Sequence, residues 1–204
     1  MLRIDETSKT LVAPAASEYV PEAAPGRDEL TALLSAGWDA FAAEIGQTQL
    51  KAIAAAPEPG IDILALDDGA RRLVVVVVAD GDAATVLGRA LAAAAAVSAW
   101  DAEKLGTYVT GLAPGDSPRM ILIGPEWDAG AAQTADWLVR RHGVEIAGYG
   151  VQAMRLGNER MMNFVGAYPA SPDLEFVADV HSEASVPPPP AAVTAPVDLP
   201  APPA

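Results

Sequence analysis

Hydrophobic and polar positions along the chain alternate between strand-like and helix-like periods. The sharpest block is Gly60–Gly81, GIDILALDDGARRLVVVVVADG. Ile61–Leu66 and Arg72–Ala79 are apolar runs separated by Asp67-Asp68-Gly69, a pattern that predicts a β-hairpin. Val74–Val78 is a run of five valines with no polar side. Such a strand must be covered on both faces, which places the hairpin at the centre of a sheet. Asp62 is the one charged residue inside the first strand and stands where a core residue is expected.

Around this hairpin the remaining blocks fall into an α/β order. Residues 27–46 have helical spacing, with Asp28 as the expected N-cap, and Gly37 breaks them from a second stretch at Trp38–Ile45. Gln47–Ala56 supplies a strand and Pro57-Glu58-Pro59-Gly60 a turn. After Asp80-Gly81-Asp82, Ala83–Trp100 is an alanine-rich helix and Ala102–Tyr108 continues as helix. Gly111–Ser117 is a loop, Pro118–Ile123 a strand and Gly124–Ala129 a turn. Ala131–Arg141 is amphipathic: Ala135, Leu138 and Val139 face the sheet, and Arg140 and Arg141 face water. Val144–Ala147 and Val151–Leu156 are expected as two closing strands, with Met161–Val165 as another.

Both ends differ in composition from the middle. Residues 1–26 read as an arm, with Met1–Asp5 and Thr10–Val12 pairing as a small hairpin and a Pro/Ala-rich extended stretch after it. Residues 181–204 form a Pro/Ala-rich tail, from Val186 onward VPPPPAAVTAPVDLPAPPA. Proline removes backbone donors and favours polyproline II, so a disordered or extended appendage is expected there, suited to solubilising the chain or to presenting a docking peptide. The domain between them spans residues 27–180.

Composition narrows the chemistry. With 204 residues and 51% hydrophobic content the chain can bury one proper core. Cysteine is absent, which excludes disulfides, thiolate metal sites and cysteine nucleophiles. The net charge of −14 disfavours general nucleic-acid binding, because phosphate backbones are held by clustered Lys and Arg. The compact basic groups are Arg71-Arg72 and Arg140-Arg141-His142, read as solvated loop or helix-end charges. Met1–Glu6 has no apolar segment of signal-peptide length, so a cytoplasmic protein is expected. Ala83–Trp100 is too rich in alanine, and interrupted by Arg89, to cross a membrane. Neither His142 nor His181 sits in a triad-like context, glycine-rich phosphate loops are absent, and a zinc site lacks ligands.

The hairpin and the segments after it carry a resemblance. GIDILALD followed by RRLVVVVVADG resembles the heart of the PD-(D/E)XK nuclease superfamily, in the branch similar to the C-terminal domain of NucS-type endonucleases, whose strands read R/G-I-D-L-L-A-L-D and R-L-V-V-I-E-L-K-R-G. Ala90-Leu91 and Val97-Ser98 keep that branch's Q-A-L-R-Y-A-A-x-V-S, PRMILI is similar to its R-L-I-L-I, and Trp137-Leu138 to its W-L. The resemblance runs in consistent order over roughly residues 27–168. It implies a restriction-endonuclease-like central mixed sheet flanked by helices. It also implies a site built on Asp62, but four lining positions depart from the pattern. Val77 stands at the family's metal-binding Glu, Ala79 at its catalytic Lys, Arg89 at its Gln and Ala93 at its Tyr.

Phosphodiester hydrolysis of this kind needs at least two carboxylates on a divalent metal and a Lys or its equivalent. A single surviving Asp62 cannot fix Mg²⁺. The expectation is therefore a catalytically inactive relative, with no metal and no cofactor, acting as a binding or scaffolding module through protein contacts. The resemblance leaves a homodimer open, and the partner is unknown. The alternatives are a divergent Mg-dependent endonuclease using Asp62, Glu44 and Asp80, or a protein that binds nucleic acid without cutting it. Glu44 enters because Phe41–Gly46 resembles the family's F-x-E-E-I-G. Arg89, charged inside an apolar helix, is the expected partner of Asp62.

Overall fold

The structure, a computed structural model, describes residues 3–5, 10–12, 19–124 and 127–169. The proline-rich tail expected at 181–204 and His181 lie outside the described residues. The N-terminal hairpin is present: β1 (Arg3–Asp5) pairs antiparallel with β2 (Thr10–Val12). Next comes β3 (Tyr19–Glu22), followed by α1 (Arg27–Ala36), α2 (Trp38–Glu44) and β4 (Leu50–Ala55). The central hairpin is β5 (Ile63–Asp67) and β6 (Arg72–Val78). After it run α3 (Ala83–Ser98), α4 (Ala102–Gly106), β7 (Arg119–Gly124), α5 (Ala129–His142), β8 (Ile146–Leu156) and β9 (Glu159–Tyr168).

Strands β3 to β9 form one seven-stranded mixed sheet. β4, β5 and β6 are an antiparallel meander, β6, β7 and β8 run parallel, and β9 returns antiparallel to β8. Residues 153–156 of β8 pair with both β3 and β9, whereas 148–150 pair with both β7 and β9. A strand has two edges, so β3 lies on the same flank of β8 as β7. Tyr19–Glu22 was expected within an extended arm and is instead a strand of the sheet.

The valine run explains the layering. Val74, Val76 and Val78 pack with Ile63, Ala65, Ile121 and Ile123 against Leu30 and Leu34 of α1 and Trp38 and Phe41 of α2. Val75 and Val77 point the other way, into a core with Leu64, Met120, Leu122, Ala135 of α5, and Val86, Ala90, Ala93 and Val97 of α3. All five valines are fully buried. Each such side chain contributes about 1.5–3 kcal/mol relative to exposure, so the central strand is a major stabiliser of both layers. The alanines of α3 serve the packing, since small side chains bring the helix close to a sheet of branched ones.

Helix starts are set by aspartates. Asp82 accepts from the Thr85 N–H at 2.7 Å, Asp101 from Lys104 at 2.8 Å and Asp128 from Ala131 at 2.7 Å. Asp28, the cap expected for α1, lies inside its first turn; Gly26 occupies the cap position and supplies no side-chain bond. α2 is tied to β4 by the buried Trp38 Nε1–H donating to the Leu50 carbonyl at 3.0 Å.

The two closing strands expected at Val144–Ala147 and Val151–Leu156 are a single strand, β8. Gly148 and Gly150 lie in the gap between those two expected strands, and Gly148 serves a close approach. A Cβ there would lie 2.2 Å from the Trp127 ring, which stacks on Tyr168 at 6.3 Å between centroids. The glycine is a seat for an indole, not a turn. Gly148→Ala is therefore expected to lower unfolding free energy by about 1–3 kcal/mol through overpacking. Urea denaturation checks this, and an unchanged midpoint would show that the ring moves aside freely.

Candidate functional site

Asp62 is the residue before β5 and stands beside the C-terminal end of β6. Its N–H donates to the Val76 carbonyl at 3.1 Å, and its Oδ2 accepts from the Val78 N–H at 2.7 Å. The carboxylate thus takes the place of a backbone carbonyl where the β5/β6 ladder runs out, which accounts for a charged residue at 4% exposure. Parallel β7 ends here too, with the Ala79 N–H donating to the Ile123 carbonyl at 2.6 Å. The carboxyl ends of parallel strands are where open α/β sheets place ligand sites.

Two guanidinium groups converge on this carboxylate, one from each helical layer. Arg27, the first residue of α1, reaches Oδ1 with Nε at 2.8 Å and Nη2 at 2.7 Å. Arg89, from α3, reaches Oδ2 at 3.2 Å and also donates to the Val78 carbonyl. Arg89 is thus the partner expected from sequence, but Arg27 is the tighter one. A trace of Arg27 was available: a cation at a helix N-terminus opposes the macrodipole and calls for a nearby anion.

The two arginines respond differently to sharing one anion. The Asp62 hydrogen bond, only partly opposed by burial, holds Arg27 above the ordinary arginine value. Burial pushes Arg89 down, with Asp62 opposing that shift and the Arg27 charge adding to it. Both remain cations at any physiological pH. Asp80 is exposed just past β6 and raises both arginines through its charge. Asp28, next to Arg27 in the chain, adds a third negative charge that acts on Arg27.

The other predicted positions do not join this cluster as donors. Val77 is fully buried and Ala79 is 8% exposed, both in the core under α3, as is Ala93 one helical turn beyond Arg89. A Cβ on Gly124 would come 2.8 Å from the Ala79 Cβ, so position 79 is packed against the end of β7. Glu44 is exposed at the C-terminal end of α2 and lines a separate apolar depression with Leu33, Phe41, Met162 and Phe164. Asp62 instead lies at the wall of an open cleft of about 620 Å³ with Arg27, Thr31, Ser35, Pro57 and Gly60.

This donor set does not fit a hard divalent cation. Such an ion takes several oxygen ligands, chiefly carboxylates and water. Here both oxygens of Asp62 already accept from guanidinium groups, and two positive charges occupy the approach. Among the described residues no three of His, Cys, Asp and Glu cluster closely enough to hold a metal. The geometry suits a fixed structural pin between layers.

No protein-family profile matches the chain, and no curated protein matches it. Among solved structures it is similar to a repair endonuclease from Pyrococcus abyssi, at 18% identity and a TM-score of 0.35. That match covers 62% of this chain and 48% of the other, so the chain spans about half of that protein's length.

Thermodynamic cycles test the pin. Asp62→Asn is expected to couple to Arg27→Gln by about 1–3 kcal/mol of stability and to Arg89→Gln by less, in line with the forked and single contacts. Cycles that close to zero for both arginines would remove the ion pairs as a source of stability.

Proposed function

We propose that the chain is a nuclease-fold protein of the PD-(D/E)XK type that no longer hydrolyses phosphodiesters and serves as a binding or scaffolding module through protein contacts. One observation carries this reading. The carboxylate at the expected catalytic position, Asp62, is committed on both oxygens to Arg27, Arg89 and the Val78 N–H. The chemistry of the superfamily needs that carboxylate free to share a metal with a second one, beside an ammonium that activates water. Buried Val77 and Ala79 offer an isopropyl and a methyl group in those two roles.

Several features speak for protein partners over nucleic acid. The sequence carries a net charge of −14. Three of the clustered cations are countered locally: Arg71 lies 3.7 Å from Asp68, Arg72 pairs with Glu145, and Arg140 is 2.8 Å from Asp136. No described helix is long and apolar enough to cross a membrane. On this reading the protein works in the cytoplasm with a protein partner, a second copy of itself included. A divergent Mg-dependent endonuclease is the second reading. It is favoured by the closeness of Asp80 to the arginines that hold Asp62, and disfavoured by the separate position of Glu44.

Incubation with single-stranded, double-stranded and branched DNA in Mg²⁺ or Mn²⁺ separates the readings. Intact substrate is expected throughout. Cleavage that disappears in Asp62→Ala would overturn the inactive assignment, and a salt-sensitive gel shift without cleavage would replace scaffolding by nucleic-acid binding.

A further inference from the structure

The edge of a sheet presents unpaired backbone N–H and C=O groups and accepts another strand unless something blocks it. β4 is blocked: it is six residues long, its register slips between Ala52 and Ala54, and it carries Lys51. β3 is four residues long and contains Pro21, which cannot donate. β9 is different. It has ten residues, it pairs with β8 along one side, and among the described residues nothing pairs with its other side. Apart from a register shift near its C-terminal end, its ladder with β8 is regular. Its charges, Glu159 and Arg160, stand at its first two positions, leaving Met161–Tyr168 uncharged.

The sequence of β9 is a chemical palindrome about Asn163. Met162 and Phe164 flank it on one face, and Met161 and Val165 lie with it on the other. If β9 meets β9 of a second copy antiparallel with Asn163 at the two-fold axis, Met162 lies opposite Phe164 and Met161 opposite Val165. Asn163 then lies opposite its own counterpart. Apolar pairs meet, a thioether meets an aromatic ring, and two amides can hydrogen-bond. Arg160 falls opposite Gly166 and Glu159 opposite Ala167, so like charges do not meet. For a chain of net charge −14, such an uncharged edge is where two copies approach at least cost. Beside it runs the apolar depression of about 310 Å³ lined by Leu33, Phe41, Met162 and Phe164, with Leu33 43% exposed.

We infer that two copies of this chain join through β9, antiparallel about a two-fold axis at Asn163, so that the sheet continues across the interface. This gives the scaffolding reading a surface and a partner. It rests on the edge geometry and not on the loss of catalysis, and its readout is mass rather than cleavage.

The test uses the full chain and two charge variants at Asn163, which is partly exposed, so neither charge is buried in the core. Sedimentation at micromolar concentration is expected to give a dimer for the natural chain. Asn163→Lys and Asn163→Glu each set like charges face to face at the axis and are expected to raise the dissociation constant by about tenfold or more. Mixing the two variants is expected to restore the dimer, because Lys then faces Glu. A monomeric natural chain overturns the inference. So does a dimer indifferent to both variants, or a mixture that stays monomeric while each variant keeps its fold by circular dichroism.

Discussion

A single buried carboxylate at the end of the central hairpin links the layers of this protein. Asp62 accepts a backbone N–H from β6, a forked pair from α1 and a single guanidinium bond from α3. Burying an anion costs several kcal/mol unless charge and hydrogen bonds offset the lost hydration. Here the offset comes from three separate elements, so the cost is met only when all three are in place. The pin therefore ties three elements to one point. It favours the arrangement in which the start of α1 and the middle of α3 flank the same strand end.

The hydrophobic layers set how near those arginines come. α3 lies against the valine sheet through Val86, Leu87, Ala90, Ala93 and Val97, with the two alanines at its middle, and α1 lies on the opposite layer through Leu30 and Leu34. Arg89 sits one turn before Ala93, on the edge of that inner face, where its stem is covered and its head reaches the strand end. Packing brings the cation in, and the carboxylate gives it a fixed partner. The unpaired, buried Arg89 Nε marks the limit of this fit.

How much of this is legible in the sequence depends on how local the cause is. The β5/β6 hairpin and the buried centre are fully legible, because five valines and an Asp-Asp-Gly turn admit few other readings. The break at Gly37 and the alanine-rich helix are equally plain. β3 is hidden because a short strand containing proline, in a Pro/Ala-rich stretch, has no period of its own and exists only by pairing with β8. β8 is misread as two strands because glycine permits both a turn and a close contact, and only the distant Trp127 decides between them. At the site, Asp62 and Arg89 stand out as charges in apolar segments. Arg27 lies at a polar helix start, where an arginine attracts no notice, and it is joined to Asp62 across 35 positions.

The apolar residues at 77 and 79 follow from the same packing that holds Arg89. Val77 is fully buried, and Ala79 lies against Gly124 with no room between them. A carboxylate at 77 or an ammonium at 79 would lose its water beneath α3, at a penalty of several kcal/mol per ion, unless the helix moved outward. Moving α3 outward would draw Arg89 away from Asp62 and leave the carboxylate with one guanidinium partner fewer. The close helix and the arginine pin therefore support one another, and both oppose a hydrated metal at this strand end. On the proposed reading, regaining hydrolysis would take repacking of an entire helix face, more than the return of two side chains.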